Sequence, residues 1–380
     1  MSMRNALLNE GAGSSAPGAM APNHDLAGHK LLMIVPWDPP AAYLDRLREQ
    51  FPGLKVTHSN YDTWKPTNQL PPEITEEDWK TVTILLTGPQ FPTPEQAPKM
   101  QLVQLQSAGA NFVLDKPIFK DTSIPFCTAN GVHGPQIAEW VICTFLAFQH
   151  RIPHFLDMQK KSKWEHSWND SDMQDTVGQR VGILGYGSIG RQVARVATAM
   201  GMEVYAYTNR PRDTPESRRD DSYYVPGLGD PAGTLPAKWF SGSEPAHVDA
   251  FLASGLDLLV VAVPLTPATR GMLGKHQFKI LADKKTYVSN IGRGPVINTE
   301  DLMTALDEEW IRGAALDVTD PEPLPESHPL WGKKNLIITP HVSGNSNNYN
   351  SRLLEVLDIN LKRLSKGEEF MNRVSRKRGY

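Results

Sequence analysis

The chain has 380 residues, 40% of them hydrophobic, which is enough for two domains that each bury a core. Its 39 Lys and Arg against 42 Asp and Glu leave a formal charge of -3, which excludes chain-wide attraction to nucleic acid or to an anionic membrane. No apolar run reaches the roughly 18 residues of a membrane span. Cys127 and Cys143 make no disulfide framework, so the expectation is a cytoplasmic protein with both thiols buried as small apolar side chains.

Residues 1–28, rich in Ala, Gly, Ser, Asn and Pro, have no periodicity and read as a flexible arm with no secretory or mitochondrial address. Residues 31–35, 81–86 and 102–105 are apolar runs of strand length, and 43–51 reads as a helix. Strands alternating with helices predict a parallel α/β sheet. Ligands on such sheets sit at the C-terminal strand ends, which points to the loops at Thr87-Gly88 and Ala108-Gly109. Gly134-Pro135 opens a long helix bearing Ile137, Trp140, Val141, Thr144, Phe145 and Phe148; a helix this apolar must be covered by another domain or a second subunit.

The pattern restarts at Val181 as a second series, with strands predicted at 181–184, 203–207, 256–263, 286–290, 314–318 and 336–338. The first strand runs into Gly185-Tyr186-Gly187-Ser188-Ile189-Gly190, the spacing of a dinucleotide-binding turn. The first glycine permits the turn, the second lets backbone N–H groups approach a pyrophosphate, and the third lets the helix pack on the strand. That helix carries Ile189, Val193, Val196, Ala197 and Met200 on one face. Residues 212–254 are Pro-, Gly- and Ser-rich and read as an inserted surface excursion. A last helix, about 347–364, places Leu353, Leu357, Leu361 and Leu364 on one stripe that could return the chain to the first domain.

Three loops of the second series each deliver one ionisable residue past a predicted strand: Arg293 between Gly292 and Gly294, Glu322 between Pro321 and Pro323, and His341 after Thr339-Pro340. Singly, each has an ordinary surface or core explanation. Together they offer a planar cation for a carboxylate and an imidazole whose charged form a carboxylate supports. His133, His150 and His154 read as structural, Ser107 and Ser188 lack an adjacent base, and no Cys/His cluster has metal-ligand spacing.

These motifs, with Pro264-Leu265-Thr266-Pro267-Ala268-Thr269-Arg270-Gly271 and Leu316-Asp317, resemble the D-isomer-specific 2-hydroxyacid dehydrogenases of the glyoxylate/hydroxypyruvate reductase type, over about residues 31–364. The resemblance implies two Rossmann-like domains with parallel sheets. A cofactor domain (146–342) would be inserted in a discontinuous substrate domain (29–145 and 343–380), and the long helix would form a homodimer. It implies that Arg293 binds the carboxylate and carbonyl of a small 2-oxo acid, His341 protonates the carbonyl oxygen and Glu322 supports His341. Gly88, Ala108 and Gly109 would contact substrate. Cofactor contacts are implied at the glycine turn, Val263, Pro264, Thr269, Ile291, Gly292 and Gly344, and at Asp317 through the nicotinamide carboxamide. An NAD site wants an acid near the end of the second strand, whereas this strand ends Thr208-Asn209-Arg210-Pro211-Arg212. Asn209, Arg210 and Arg212 could hold a 2′-phosphate, so NADPH is expected over NADH. Two neighbouring readings are a formate-oxidising relative, which characteristically has Gln where Glu322 stands, and a dinucleotide-sensing corepressor.

Overall fold

The computed structural model describes residues 22–65, 70–166, 169, 173–377 and 379. They fall into two parallel α/β units: the described part of Met1–Thr128 with Leu354–Gly379, and Ala129–Leu353.

The first unit holds strands β1 Lys30–Val35, β2 Lys55–Asn60, β3 Ile84–Thr87, β4 Leu102–Leu105 and β5 Phe126–Cys127, in the order β2-β1-β3-β4-β5. Strand order reverses between β1 and β3, and Gly88 follows β3 at that switch point. Strand β2, Lys-Val-Thr-His-Ser-Asn, is a largely exposed edge strand with no apolar run to announce it. The helix Tyr349–Lys366 packs here through Leu357 and Leu361, both fully buried. Two polar ties fix it: Tyr43 donates to Asp358 at 2.8 Å, and Asn360 Nδ2 donates to Gln104 Oε1 at 2.9 Å.

The expected flexible arm 1–28 does not extend through 22–28. Residues 1–21 lie outside the described residues, but 22–28 are built into the first unit. Leu26 is fully buried, Asn23 N donates to Ser365 O at 2.8 Å, and Gly53 N donates to Asp25 O at 3.0 Å. One apolar residue in a polar run gives no periodicity, so the docking is invisible to pattern reading.

The second unit contains β6 Arg180–Leu184, β7 Glu203–Thr208, β8 Lys238–Ser241, β9 Leu258–Val261, β10 Tyr287–Asn290, β11 Gly313–Leu316 and β12 Leu336–Ile338. All pairs are parallel, in the order β12-β11-β10-β9-β6-β7-β8, with the switch point between β6 and β9. Six strands were expected; β8 is a seventh. The stretch 212–254 is therefore not all surface excursion: it also contains the helix Pro245–Leu252, whose Phe251 is fully buried under the sheet.

The long helix Gly134–Gln149 packs Ile137, Ala138, Val141 and Phe145 against Val181, Ile183, Val193 and Val260. Its burial in this sheet's core moves the division between units to 128/129 and, at the other end, to 353/354, away from 145/146 and 342/343. Cys127 is buried, and its thiol is pushed up to about 12 by burial. Cys143 is exposed instead of buried, because it lies on the face of the long helix turned from the sheet. Among the described residues no helix is long and apolar enough to cross a membrane.

Leu26→Ala should destabilise the first unit by about 2–4 kcal/mol in urea unfolding, as for other buried leucines. A loss under about 0.5 kcal/mol would mean that 22–28 is not packed.

Candidate active site

The glycine turn sits at the switch point of the second sheet. Gly185 has φ 105°, and a Cβ there would lie 2.7 Å from Ala262 O. At Gly190 a Cβ would meet Gly185 O at 2.5 Å. The chain itself thus requires the first and third glycines. Gly187 differs: its φ is -89°, which any residue adopts, and a Cβ there would meet nothing within 4 Å. Nothing within the chain crowds position 187, so the backbone there is open to the approach of a ligand such as a pyrophosphate. Gly187 is also the N-cap of the helix Ser188–Ala199, with no side chain capping it, so the helix N-terminus is free to receive an anion. Tyr186 turns inward, 4% exposed, and Ser188 donates to Asn130 at 2.8 Å. Gly292 packs on the same corner, where a Cβ would lie 2.8 Å from Val263 O. Thr269 closes the neighbouring loop by donating to Pro264 O at 2.7 Å, and Ile291 is buried.

The ends of β10, β11 and β12 bring Arg293, Glu322 and His341 together. His341 Nδ1 lies 2.6 Å from Glu322 Oε1. A carboxylate only accepts, so Nδ1 donates and Nε2 is left to carry the exchangeable proton. Both side chains stay reachable, His341 at 51% and Glu322 at 40% exposure. Arg293 donates to Gly292 O at 2.7 Å, leaving the rest of its fork uncommitted. Burial works against its charge and the Glu322 carboxylate supports it. Gly294 explains how the loops meet: a Cβ there would lie 1.9 Å from Thr319 O, so only glycine lets the Arg293 loop lie against the loop carrying Glu322.

Two bracing roles escaped sequence reading. Asn290, 1% exposed, accepts from Gly292 N at 3.1 Å and donates to Arg293 O at 3.1 Å, shaping the arginine loop. Asp317, 2% exposed, accepts from Thr339 Oγ1 at 2.6 Å, Val342 N at 2.9 Å, Ser343 N at 3.0 Å and the Ser343 hydroxyl. Its four lone-pair positions are taken up within the protein. Asp317 here anchors the His341 loop.

At the end of β7, Asn209 and Arg210 are exposed. Arg212 is half-buried; one Nη donates to Ser217 O, and Nε has no partner in the structure. No acidic residue stands between Thr208 and Arg212. The remaining expected contacts belong to the first unit. Gly88 packs on Thr63, and Ser107 donates to Gly109 O at 2.7 Å, shaping the turn that holds Ala108.

This set of strand-end residues around a dinucleotide turn defines an oxidoreductase site. A family model described as the NAD binding domain of D-isomer specific 2-hydroxyacid dehydrogenase matches residues 142–227 and 237–343, more than half of the chain. The chain belongs to the D-isomer-specific 2-hydroxyacid dehydrogenases, dinucleotide-dependent oxidoreductases of small 2-oxo and 2-hydroxy acids. It is 29% identical over 278 residues to a hydroxypyruvate reductase of Blautia hydrogenotrophica, covering 72% of this chain and 78% of that one. With a glyoxylate reductase of Thermofilum pendens it shares 28% identity over 341 residues, 87% of this chain and 92% of the relative. Among solved structures, a D-isomer specific 2-hydroxyacid dehydrogenase family protein from Aeromonas salmonicida superposes with a TM-score of 0.68 at 25% identity, covering 92% of this chain and all of that one.

His133, read from sequence as structural, stands beside this site. A Cβ on Gly344 would lie 3.0 Å from its Cδ2, and its ring centre lies 5.0 Å from that of Tyr349 at a 53° tilt. Burial, then the charges of His341, Arg293 and Arg352, pull its pKa down to about 4 from 6.5. The folded protein therefore refuses a proton that the unfolded chain accepts. Stability contributed by neutral His133 is intact above pH 6.5 and lost as pH falls toward 4. Denaturant titrations at pH 7 and pH 4.5 should show His133→Asn removing roughly 2–3 kcal/mol of the wild-type loss; an unchanged slope would place the imidazole in water.

Proposed function

We propose that the protein is an NADPH-preferring reductase of small 2-oxo acids such as glyoxylate, hydroxypyruvate or a bulkier analogue, giving the D-2-hydroxy acid. The observation that carries this reading is the convergence of Arg293 with the hydrogen-bonded pair His341–Glu322, Nδ1 to Oε1 2.6 Å, on three adjacent strand ends. Arg293 offers two-point contact to the substrate carboxylate and its neighbouring carbonyl, which orients the carbonyl and pulls electron density from its carbon. His341 Nε2 delivers a proton to the carbonyl oxygen as negative charge develops there. Glu322 stabilises the imidazolium before the transfer and holds the ring in the tautomer that can repeat it. When bound, NADPH supplies the hydride to the carbonyl carbon.

The preference for NADPH rests on the acid-free end of β7, where Asn209 and Arg210 are exposed and Arg212 follows half-buried. A homodimer is part of the same proposal. The helix Ile152–Lys160 buries none of its residues, and Ile152 and Leu156 are 44% and 50% exposed, beside the outward face of the long helix.

A steady-state screen of 2-oxo acids with both dinucleotides tests the reading. Arg293→Ala should lower kcat/KM for glyoxylate by about 10³-fold, and unchanged turnover would remove Arg293 from substrate binding. Arg210→Ser should raise KM for NADPH about tenfold and leave KM for NADH within about twofold. Equal losses would count against a phosphate contact.

A further inference from the structure

The family match is interrupted at residues 228–236, inside the stretch that follows β7. That interval holds Asp230, an acid only 5% exposed. Its carboxylate accepts from the Tyr186 hydroxyl at 2.7 Å and from Thr234 N and Leu235 N at 2.9 and 3.2 Å. Its main-chain oxygen accepts from Arg191. Arg191, 4% exposed on the helix after the glycine turn, lies 5.0 Å over the Tyr186 ring, donates to Arg218 O at 2.7 Å and has Nε 3.3 Å from Asp220. Arg218 in turn donates to Arg212 O at 2.8 Å. A second tie fastens the stretch to the same helix, Gly229 N donating to Gln192 Oε1 at 2.7 Å.

Tyr186 is the one side chain between two glycines, Gly185 and Gly187. Glycines give the backbone freedom on both sides, so the ring of Tyr186 decides where the intervening peptide groups point. We propose that Asp230 is a positioning residue for the dinucleotide: it fixes Tyr186 and, through Arg191 and Arg218, joins the pyrophosphate turn to the Arg212 loop, so that both ends of the cofactor site are set together. This rests on the glycine turn being the dinucleotide site. Asp230 thus lies outside the matched segments while its partners Tyr186 and Arg191 lie inside them, and the link acts on cofactor affinity without touching the reacting atoms.

The test uses full-length Tyr186→Phe and Asp230→Ala, with the double variant. Measurements are the dissociation constants of NADPH and NADH by fluorescence titration, the steady-state constants and Tm. Tyr186→Phe should raise both the Kd and the KM for NADPH about tenfold, the loss expected when a buried charged acceptor loses its donor. For Asp230→Ala, saturated kcat and the KM of the 2-oxo acid should stay within about twofold. The double variant should lose little more than the larger single loss, because both changes break one link. Variants with lowered Tm and unchanged dinucleotide affinity would reduce the network to a structural brace and overturn the proposal, as would losses that simply add. Should Asp230→Ala fail to fold, Tyr186→Phe, which keeps the buried ring, decides alone. A wild-type protein that binds neither dinucleotide would overturn the reading of the turn and this inference with it; normal wild-type binding with equally tight variants would overturn the inference alone.

Discussion

The carboxylate of Asp317 is the constraint on which the site turns. His341 sits at φ 55°, a left-handed conformation costly for a residue with a side chain, and it persists only where surrounding bonds over-determine it. Most of the bonds that hold this loop run to one residue. The main-chain oxygen of Asp317 takes His341 N at 2.8 Å, and its side chain gathers Thr339, Val342 and Ser343. The imidazole is thus presented to Glu322 by a loop strapped down on both sides of it. An acid buried this deeply is tolerated because every lone pair is met.

A second constraint is steric and involves no charge. Gly185, Gly292 and Gly294 each lie where a Cβ would strike the main chain of a neighbouring strand-end loop. These contacts stack the loops after β6, β9, β10 and β11 within one another's reach. The glycine turn and the His341–Glu322 pair are therefore parts of one packed corner of the sheet.

Much of this was legible in the sequence, for a definite reason. A buried parallel strand such as Leu258–Val261 is a continuous apolar run, and Arg293, Glu322 and His341 each come shortly after a strand whose start is apolar or small, so strand ends and chemistry could be read together. What escaped reading lacks either signal. Strand β8 is four residues long and only half-buried, and β2 is an edge strand of polar residues. Asp317, Asn290 and Asp230 act through hydrogen bonds to backbone or to residues far along the chain, and such partners have no fixed spacing. His133 looked like any histidine at a helix start until the loop of Gly344 folded over it.

The chain leaves the first unit after Thr128 and returns only at Leu354. The sheet of that unit is therefore made early in synthesis, but Leu357, Leu361 and the Asp358 that receives Tyr43 are made last. A nascent chain must hold β1 to β5 with an uncovered apolar face while the whole second unit is translated and can fold. Order of birth and order of completion are reversed: every residue of the inserted unit is made before the unit begun first receives the helix that covers it.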